Sequence, residues 1–422
     1  MKKKEILTMR PVEIVIVGAG DRGNVYASYA IEHPDLVKVV GVAEPRDFHR
    51  QRMVKEHGIP PENVFTDWKD LAERERFADA VVIATQDSMH LGPAIAFADK
   101  GYHMLLEKPI APDEDSCKRI IQAVLDNKIL FAVGHVLRYT RYTKKLKEII
   151  ASGVIGDVVS LHRLEPVGYW HQAHSFVRGN WRREDESSSM LLAKSCHDLD
   201  WIRYIVGKSC RAVSSFGSLF HFKKENKPEG AGDSCTKCDY EPNCPYSAKK
   251  IYLGFFEDGN YGWPVSVITP EVTKENIMEA ITTGPYGRCV YECDNDVVDH
   301  QVVTMEFDGG ITASFTMTAF TEAGGRRTSI FGTSGEINGD GTTIKVFDFL
   351  SDTAKIYDTT HDNPMPLEGH GGGDYGLIKA FVEAVSESDA ERILSGPEET
   401  LESHLMVFAA EKSRKERRTV LM

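Results

Sequence analysis

Residues 12–23, Val-Glu-Ile-Val-Ile-Val-Gly-Ala-Gly-Asp-Arg-Gly, constrain the fold more than any other stretch of this chain. A short apolar run enters Gly18-x-Gly20-x-x-Gly23 directly, which predicts a buried strand, a tight turn and a helix. Gly18 permits the turn, Gly20 lets backbone approach a pyrophosphate, and Gly23 lets the helix lie against the strand. Free N–H groups at the helix start suit an anion. Asp21 and Arg22 sit inside this turn and are expected at the cofactor with the three glycines. A helix-compatible stretch to His33, a second apolar strand over 37–43 and then Glu44 complete the dinucleotide-binding pattern. Glu44 would accept hydrogen bonds from the adenosine ribose and repel a 2′-phosphate, which favours NAD over NADP, whereas Arg46 could accommodate that phosphate.

Apolar runs and helix-length segments alternate onward through residues 80–84, 90–100, 102–106, 113–127 and 130–134, predicting a parallel sheet covered on both faces. Ligands of such sheets lie beyond the carboxyl ends of the strands, so the loops at 18–23, 85–90, 107–112 and 135–140 are the ones to watch. After Tyr139 the texture turns β-rich. Stretches at 157–164, 297–307, 311–318 and 328–331 show period-two alternation that suits an antiparallel sheet with one wet face. The expected fold is therefore α/β and α+β: a Rossmann dinucleotide-binding domain over 1–137, then over 138–422 an α/β domain with a large open, mostly antiparallel sheet. A closing helix near 398–414 should pack back on the body. Residues 167–186 and 223–243 read as long loops.

Composition excludes several classes. The 422 residues carry 63 acidic and 50 basic side chains, net −13, with no long basic stripe, so nucleic acid is not an expected partner. No run of about 18 apolar residues or secretory h-region is present, so neither is a membrane. Eight cysteines in a chain this long do not form a secreted disulfide framework, and the protein is expected in the cytoplasm.

The glycine motif, Thr85-Gln86-Asp87-Ser88-Met89-His90, Glu107-Lys108-Pro109 and His197-Asp198-Leu199-Asp200 occur in an order that resembles the Gfo/Idh/MocA family of NAD(P)-dependent sugar, inositol and polyol oxidoreductases. The likeness runs from the first strand through residues 332–335 to the closing helix. It implies cofactor contacts at Thr85, Gln86, His90, Glu107, Lys108 and Arg138, and a substrate cleft containing Lys108, Arg138, Tyr139 and His197. The family places an Asp four residues before this His, and here that position is Ala193, with Lys194 beside it. The departure leaves room for a glycoside hydrolase that oxidises its sugar transiently with bound NAD, or for a non-catalytic dinucleotide-binding regulator.

Oxidising a secondary alcohol requires a base for the hydroxyl proton and a cation for the developing alkoxide. Lys108 and His197 supply these types and form the expected catalytic pair. Lys194 could stabilise an alkoxide or simply be a surface lysine, and Asp198 and Asp200 suit a helix N-terminus as well as a substrate. The loop around Trp170, His171 and Trp181 mixes aromatic rings with hydrogen-bonding groups, as a sugar site needs, although an oligomer contact of a dimer or tetramer would look similar. His370-Gly-Gly-Gly-Asp374 is either a second rim or a plain turn. Finally Cys235-x-x-Cys238-x5-Cys244, completed by Cys293, Cys289 or His221, suits a structural zinc, with a redox pair or ordinary thiols as alternatives.

Overall fold

Strand, helix and strand recur five times, and the chain has little freedom in how to close them. A computed structural model describes residues 10–360 and 369–422, so the first nine residues of the expected first domain and 361–368 of the second lie outside it. The elements are β1 (Val12–Val17), α1 (Asp21–Glu32), β2 (Val37–Ala43), α2 (Asp47–His57), β3 (Val64–Phe65), α3 (Trp68–Glu73), β4 (Ala80–Ile83), α4 (Leu91–Asp99), β5 (His103–Leu106), α5 (Glu114–Asn127) and β6 (Phe131–Val133). They form a sheet of order β3-β2-β1-β4-β5-β6 in which every pair is parallel. Both faces are covered, which is why these strands read as continuous apolar runs. Ile14 and Ile16 pack with Tyr26 and Ala27 of α1, while Val15 and Val17 join Phe97 and Ala98 of α4 on the other side. The strand order reverses between β1 and β4, and the crevice beyond that switch point is where ligands of such sheets bind.

The chain continues through α6 (Arg141–Ala151) into a nine-stranded sheet of β7 (Val158–Pro166), β8 (Cys210–Ser218), β9 (His300–Phe307), β10 (Thr312–Thr318), β11 (Arg327–Gly332), β12 (Gly335–Gly339), β13 (Thr343–Asp348), β14 (Thr353–Asp358) and β15 (Val420–Leu421). The order is β14-β13-β12-β11-β7-β10-β9-β8-β15; β7 and β10 run parallel and the remaining pairs antiparallel. The alternation in β9 resolves as expected: Val303, Met305 and Phe307 are buried, while Val302, Thr304 and Glu306 face outward. The inner face packs on α6 and on helices Cys196–Val206 and Pro397–Glu416.

Two sequence expectations change. Residues 169–178 are helical rather than loop, because Ala173, Phe176 and Val177 are apolar groups that bury against the body. The helix beginning near Gly373 returns from the second sheet to the first, packing Leu377, Ile378, Phe381 and Val382 into the β1–α1 core. The chain beyond residue 138 therefore contributes to both cores.

Candidate active site

The turn after β1 behaves as its glycines require. Gly18 has φ +90°, and a Cβ there would sit 2.6 Å from the Ala84 carbonyl oxygen; at Gly23 it would sit 2.0 Å from that of Gly18. No other residue fits either place. The turn opens on a cleft of about 660 Å³ whose walls include Gly18, Asp21, Arg22, Glu44, Arg46, Thr85, Gln86 and Asp87, with Trp68 at one end and Trp181 reaching over from the second sheet's side. Thr85 Oγ1 and Asp87 Oδ2 are buried there without hydrogen-bond partners among the described residues. Orphaned polar atoms around a glycine cradle fit a bound dinucleotide, whose ribose hydroxyls and amide would satisfy them.

Glu44 lines the cleft and also has protein partners of its own. It is buried, its Oε2 accepting from Ala19 N (2.8 Å) and its Oε1 from Arg46 N (3.0 Å) and Nε (2.7 Å). Burial pushes its carboxyl up, but the hydrogen bonds and charge of Arg46 and the Ala19 N–H outweigh it and hold the pKa below the usual value. Glu44 thus fastens the glycine turn to Arg46, and the half-exposed guanidinium forms the rim. Arg22 likewise ties elements together, donating to Glu107 Oε1 (2.6 Å), the Tyr26 hydroxyl (2.7 Å) and Asp374 Oδ1 (2.6 Å).

Glu107 and His90, both expected at the cofactor, work from behind the wall. Glu107 accepts from Arg22, from Tyr26 (2.8 Å) and from Lys108 N (2.7 Å), so the end of β5 is clamped. His90 is fully buried and bridges the Pro109 and Thr85 carbonyls at 2.9 and 3.2 Å. Arg138 is a further correction: instead of facing cofactor or substrate it is buried, bidentate on Asp200 at 2.8 and 2.7 Å, and bonded to Glu399 and Leu394 O. Tyr139 accepts from the Leu394 and Ser395 N–H groups with its hydroxyl and is equally committed to structure.

Lys108 and His197 do converge. Lys108 Nζ donates to the Ala193 carbonyl oxygen at 2.8 Å, crossing to helix Met190–Ala193 three residues before helix Cys196–Val206 begins. His197 is buried with Nδ1 unpartnered. Burial first, then nearby Lys108, His135, His370 and Arg326, hold it well below the ordinary histidine pKa. It is a neutral imidazole at neutral pH with one unprotonated ring nitrogen, although the same burial and cations oppose its protonation. His370 and the next two glycines all have positive φ, and this unusual backbone sets the His370 ring 6.0 Å from that of His197. His370 also reaches Asp374 at 3.0 Å.

Behind this pair stands a charged wall that sequence reading missed in part. Asp198 accepts from Arg163 and Arg326, each at 2.7 Å, and so serves as an ion-pair node where a helix-end charge was the simpler expectation. Arg326 Nε also lies 2.8 Å from Glu165, whose other oxygen is 3.4 Å from Lys194 Nζ. The signal was available in β7, where Leu161, Arg163 and Glu165 alternate onto the buried face and two of the three are charged. His171 faces this wall: burial first, then Lys194 and its neighbours, keep it neutral. Trp170 packs instead among Phe255, Trp263 and His171, and Trp181 lines the cofactor cleft rather than a sugar site.

The cysteine loop is corrected too. Among the described residues no group of three or more His, Cys, Asp or Glu side chains is arranged to hold a metal. Cys238 Sγ accepts from Gly232 N, Cys235 Sγ from Ala248 N, Cys293 Sγ turns to the Cys289 carbonyl, and His221 pairs with Tyr291. The loop is poor in apolar residues, but Phe222, Tyr246, Tyr252, Ile277, Ile281 and Val290 from flanking segments build a satellite core around it. Hydrophobic burial holds this loop where a metal was expected to.

The geometry can be set beside known proteins. Residues 12–135 match the family model described as oxidoreductase family, NAD-binding Rossmann fold, and 147–422 match that family's C-terminal alpha/beta domain. YteT of Bacillus subtilis (strain 168), itself provisionally named an oxidoreductase, is 22% identical over 338 residues, 76% of each chain. Inositol 2-dehydrogenase 4 of Saccharopolyspora erythraea is 28% identical over 209 residues, which span 49% of this chain and 58% of that one. A levoglucosan dehydrogenase solved with NADH and levoglucosan shares the fold at TM-score 0.70 and 19% identity, over 98% of this chain and 99% of that one.

Proposed function

Because the chain belongs to the Gfo/Idh/MocA oxidoreductase family, matched over both of its parts, we propose that it oxidises a hydroxyl of a sugar or cyclitol with NAD. The observation that carries this reading is that Lys108, at the end of a strand of the cofactor-binding sheet and bonded to the Ala193 carbonyl, acts electrostatically on the neutral His197. NAD held there would accept a hydride from the carbon bearing the reacting hydroxyl. Lys108 is placed to donate a hydrogen bond to the hydroxyl oxygen and to stabilise it as charge develops. His197 takes the hydroxyl proton on Nε2, since Nδ1 is buried. Glu107, pulled below its usual pKa by Arg22 and Lys108 in spite of its burial, stays ionised and fixes the Lys108 backbone. Relatives named as inositol and levoglucosan dehydrogenases support the substrate class.

NAD is the preferred cofactor in this reading, because the ionised Glu44 beneath Arg46 repels a 2′-phosphate and already takes up part of the guanidinium. We further infer a homo-oligomer, since the outer face of the second sheet exposes Phe216, Val302, Phe331 and Ile356. A cytoplasmic setting suits the eight free cysteines. No helix among the described residues is long and apolar enough to cross a membrane.

The test is absorbance at 340 nm with NAD or NADP and a panel of sugars, cyclitols and sugar acids. NADH accumulation with at least one member is the expected result. Glycoside cleavage without net NADH would replace this reading with the hydrolase, and neither activity, with cofactor still bound, would replace it with the regulator.

A further inference from the structure

The substrate side of the cleft carries more positive charge than its own carboxylates balance. Arg163, Lys194 and Arg326 share two acids, Asp198 and Glu165. Lys108 approaches from the β5 side, bonded to the Ala193 carbonyl and without an ion pair among the described residues. Lys108 has Asp87 and Glu107 nearby, so within the wall itself three cations share two carboxylates, and Lys194 is the one held least closely. Other acids stand close by, Asp87 and Glu107 on the cofactor side and Asp374 beside His370, with Glu107 and Asp374 both paired to Arg22.

The donors are unevenly used. Arg163 is buried, fully engaged by Asp198 and Thr328, and stacked on Trp201 with its guanidinium carbon 3.8 Å from the ring centre. Arg326 spends Nε and Nη2 on Asp198. Lys194 is different: its side chain is 21% exposed, its nearest carboxylate oxygen is 3.4 Å away, and among the described residues its ammonium makes no hydrogen bond. A mostly buried ammonium with unmet donors is costly unless something else meets them. Its neighbours His171 and His197 are neutral, so they add no competing charge.

We propose that the substrate is a sugar or polyol acid, whose carboxylate is received by Lys194 with help from Arg326 while Lys108 and His197 act on a hydroxyl of the same molecule. This deepens the reading under Proposed function and rests on it. The excess positive charge is neutralised when the acid enters, in a water-poor cleft where such attraction is strongest. Ala193, which presents a carbonyl and a methyl here, leaves the anion no carboxylate to meet at that position. Lys194 is a specificity residue in this account, and hydride transfer itself does not need it.

The experiment uses matched pairs with the NAD-loaded protein: glucuronate against glucose, galacturonate against galactose, and gluconate against sorbitol. Initial rates at 340 nm and the rise in melting temperature on adding each compound to the NADH complex are both read. In the wild type the acid of a pair should exceed the neutral member by about 10-fold or more in kcat/KM, as one charge-assisted hydrogen bond allows. Lys194→Gln should erase most of that margin through KM, and Lys194→Arg should retain it. Equal or better use of the neutral members overturns the proposal and leaves the oxidoreductase reading standing. If no member is turned over, melting still decides: preferential stabilisation by the acids supports the anion site, and equal stabilisation by both members refutes it. A protein that fails to bind NADH at all defeats the reading under Proposed function, and the same acid-against-neutral melting comparison without cofactor then judges the anion site separately.

Discussion

The cofactor wall and the substrate wall of one cleft are built by different physics. On the cofactor side the decisive parts are backbone: two glycines whose Cβ would strike a carbonyl oxygen at 2.6 and 2.0 Å, and a helix start behind them. On the substrate side the decisive parts are charges from distant stretches, such as Arg163 and Arg326 meeting on Asp198. A local backbone device fails when its own residue changes. A charge network fails when any member leaves its partners buried and alone. The difference teaches which substitutions damage fold, binding or rate.

The largest expected effect separates rate from binding. Lys108→Ala should lower turnover by about 100-fold or more, the usual cost of removing a group placed where charge develops. NAD affinity, held by the turn after β1, should change little by calorimetry. Gly23→Ala should do the reverse in kind, destroying NAD binding outright. A Gly23→Ala protein that binds NAD normally would break the claim that backbone builds the cofactor wall.

Next in size is a stability effect on the other wall. Asp198→Asn leaves Arg163 and Arg326 without their shared acid and should cost roughly 3–5 kcal/mol, the range for breaking a buried ion pair. Chemical denaturation measures it. A loss under about 1 kcal/mol would show that the network is solvated and contributes little.

Acid should weaken the fold through histidines as well as acids. Burial, the chief cause in each case, lowers His135 and His174 to about 3 and His404 to about 4. The unfolded chain protonates these rings near pH 6.5 while the folded chain keeps them neutral. Their contribution is therefore complete above about pH 6.5 and falls as pH drops toward 4, by about 1.4 kcal/mol per pH unit for each ring. Denaturation midpoints flat from pH 7 to 4.5 would contradict their burial as neutral groups. The smallest effect belongs to Arg46, a half-exposed rim group: Arg46→Ala should shift the NAD to NADP preference by a few-fold with under about 1 kcal/mol of stability change.

The same contrast governs what could be read from the sequence. Gly18-x-Gly20-x-x-Gly23 is contiguous, so the turn, its helix and the parallel sheet were legible, as was the alternation of β9 that gives the second sheet its buried face. Lys108 and His197 were singled out by resemblance and side-chain chemistry, and in the structure Lys108 bonds the Ala193 carbonyl and its charge acts on His197. Less was legible where roles depend on partners far along the chain. Arg138 looked free for substrate because its Asp200 and Glu399 partners lie 62 and 261 residues away. The cysteine loop looked in need of a metal because the apolar groups that cover it come from residues 222 and 277–291. Glu165 and Arg326 drew no notice, although two charges on the inner face of β7 were a readable sign.

The central claim is that Lys108 and His197 carry out NAD-dependent hydroxyl oxidation. The most direct measurement is stopped-flow NADH formation at 340 nm, using the panel compound that the wild-type protein oxidises fastest, in wild type, Lys108→Ala and His197→Asn with NAD saturating. The account predicts a rapid single turnover in the wild type and its loss by about 100-fold or more in both variants, each still binding NAD within a few-fold of wild type. Near-normal NADH formation in the variants would contradict it.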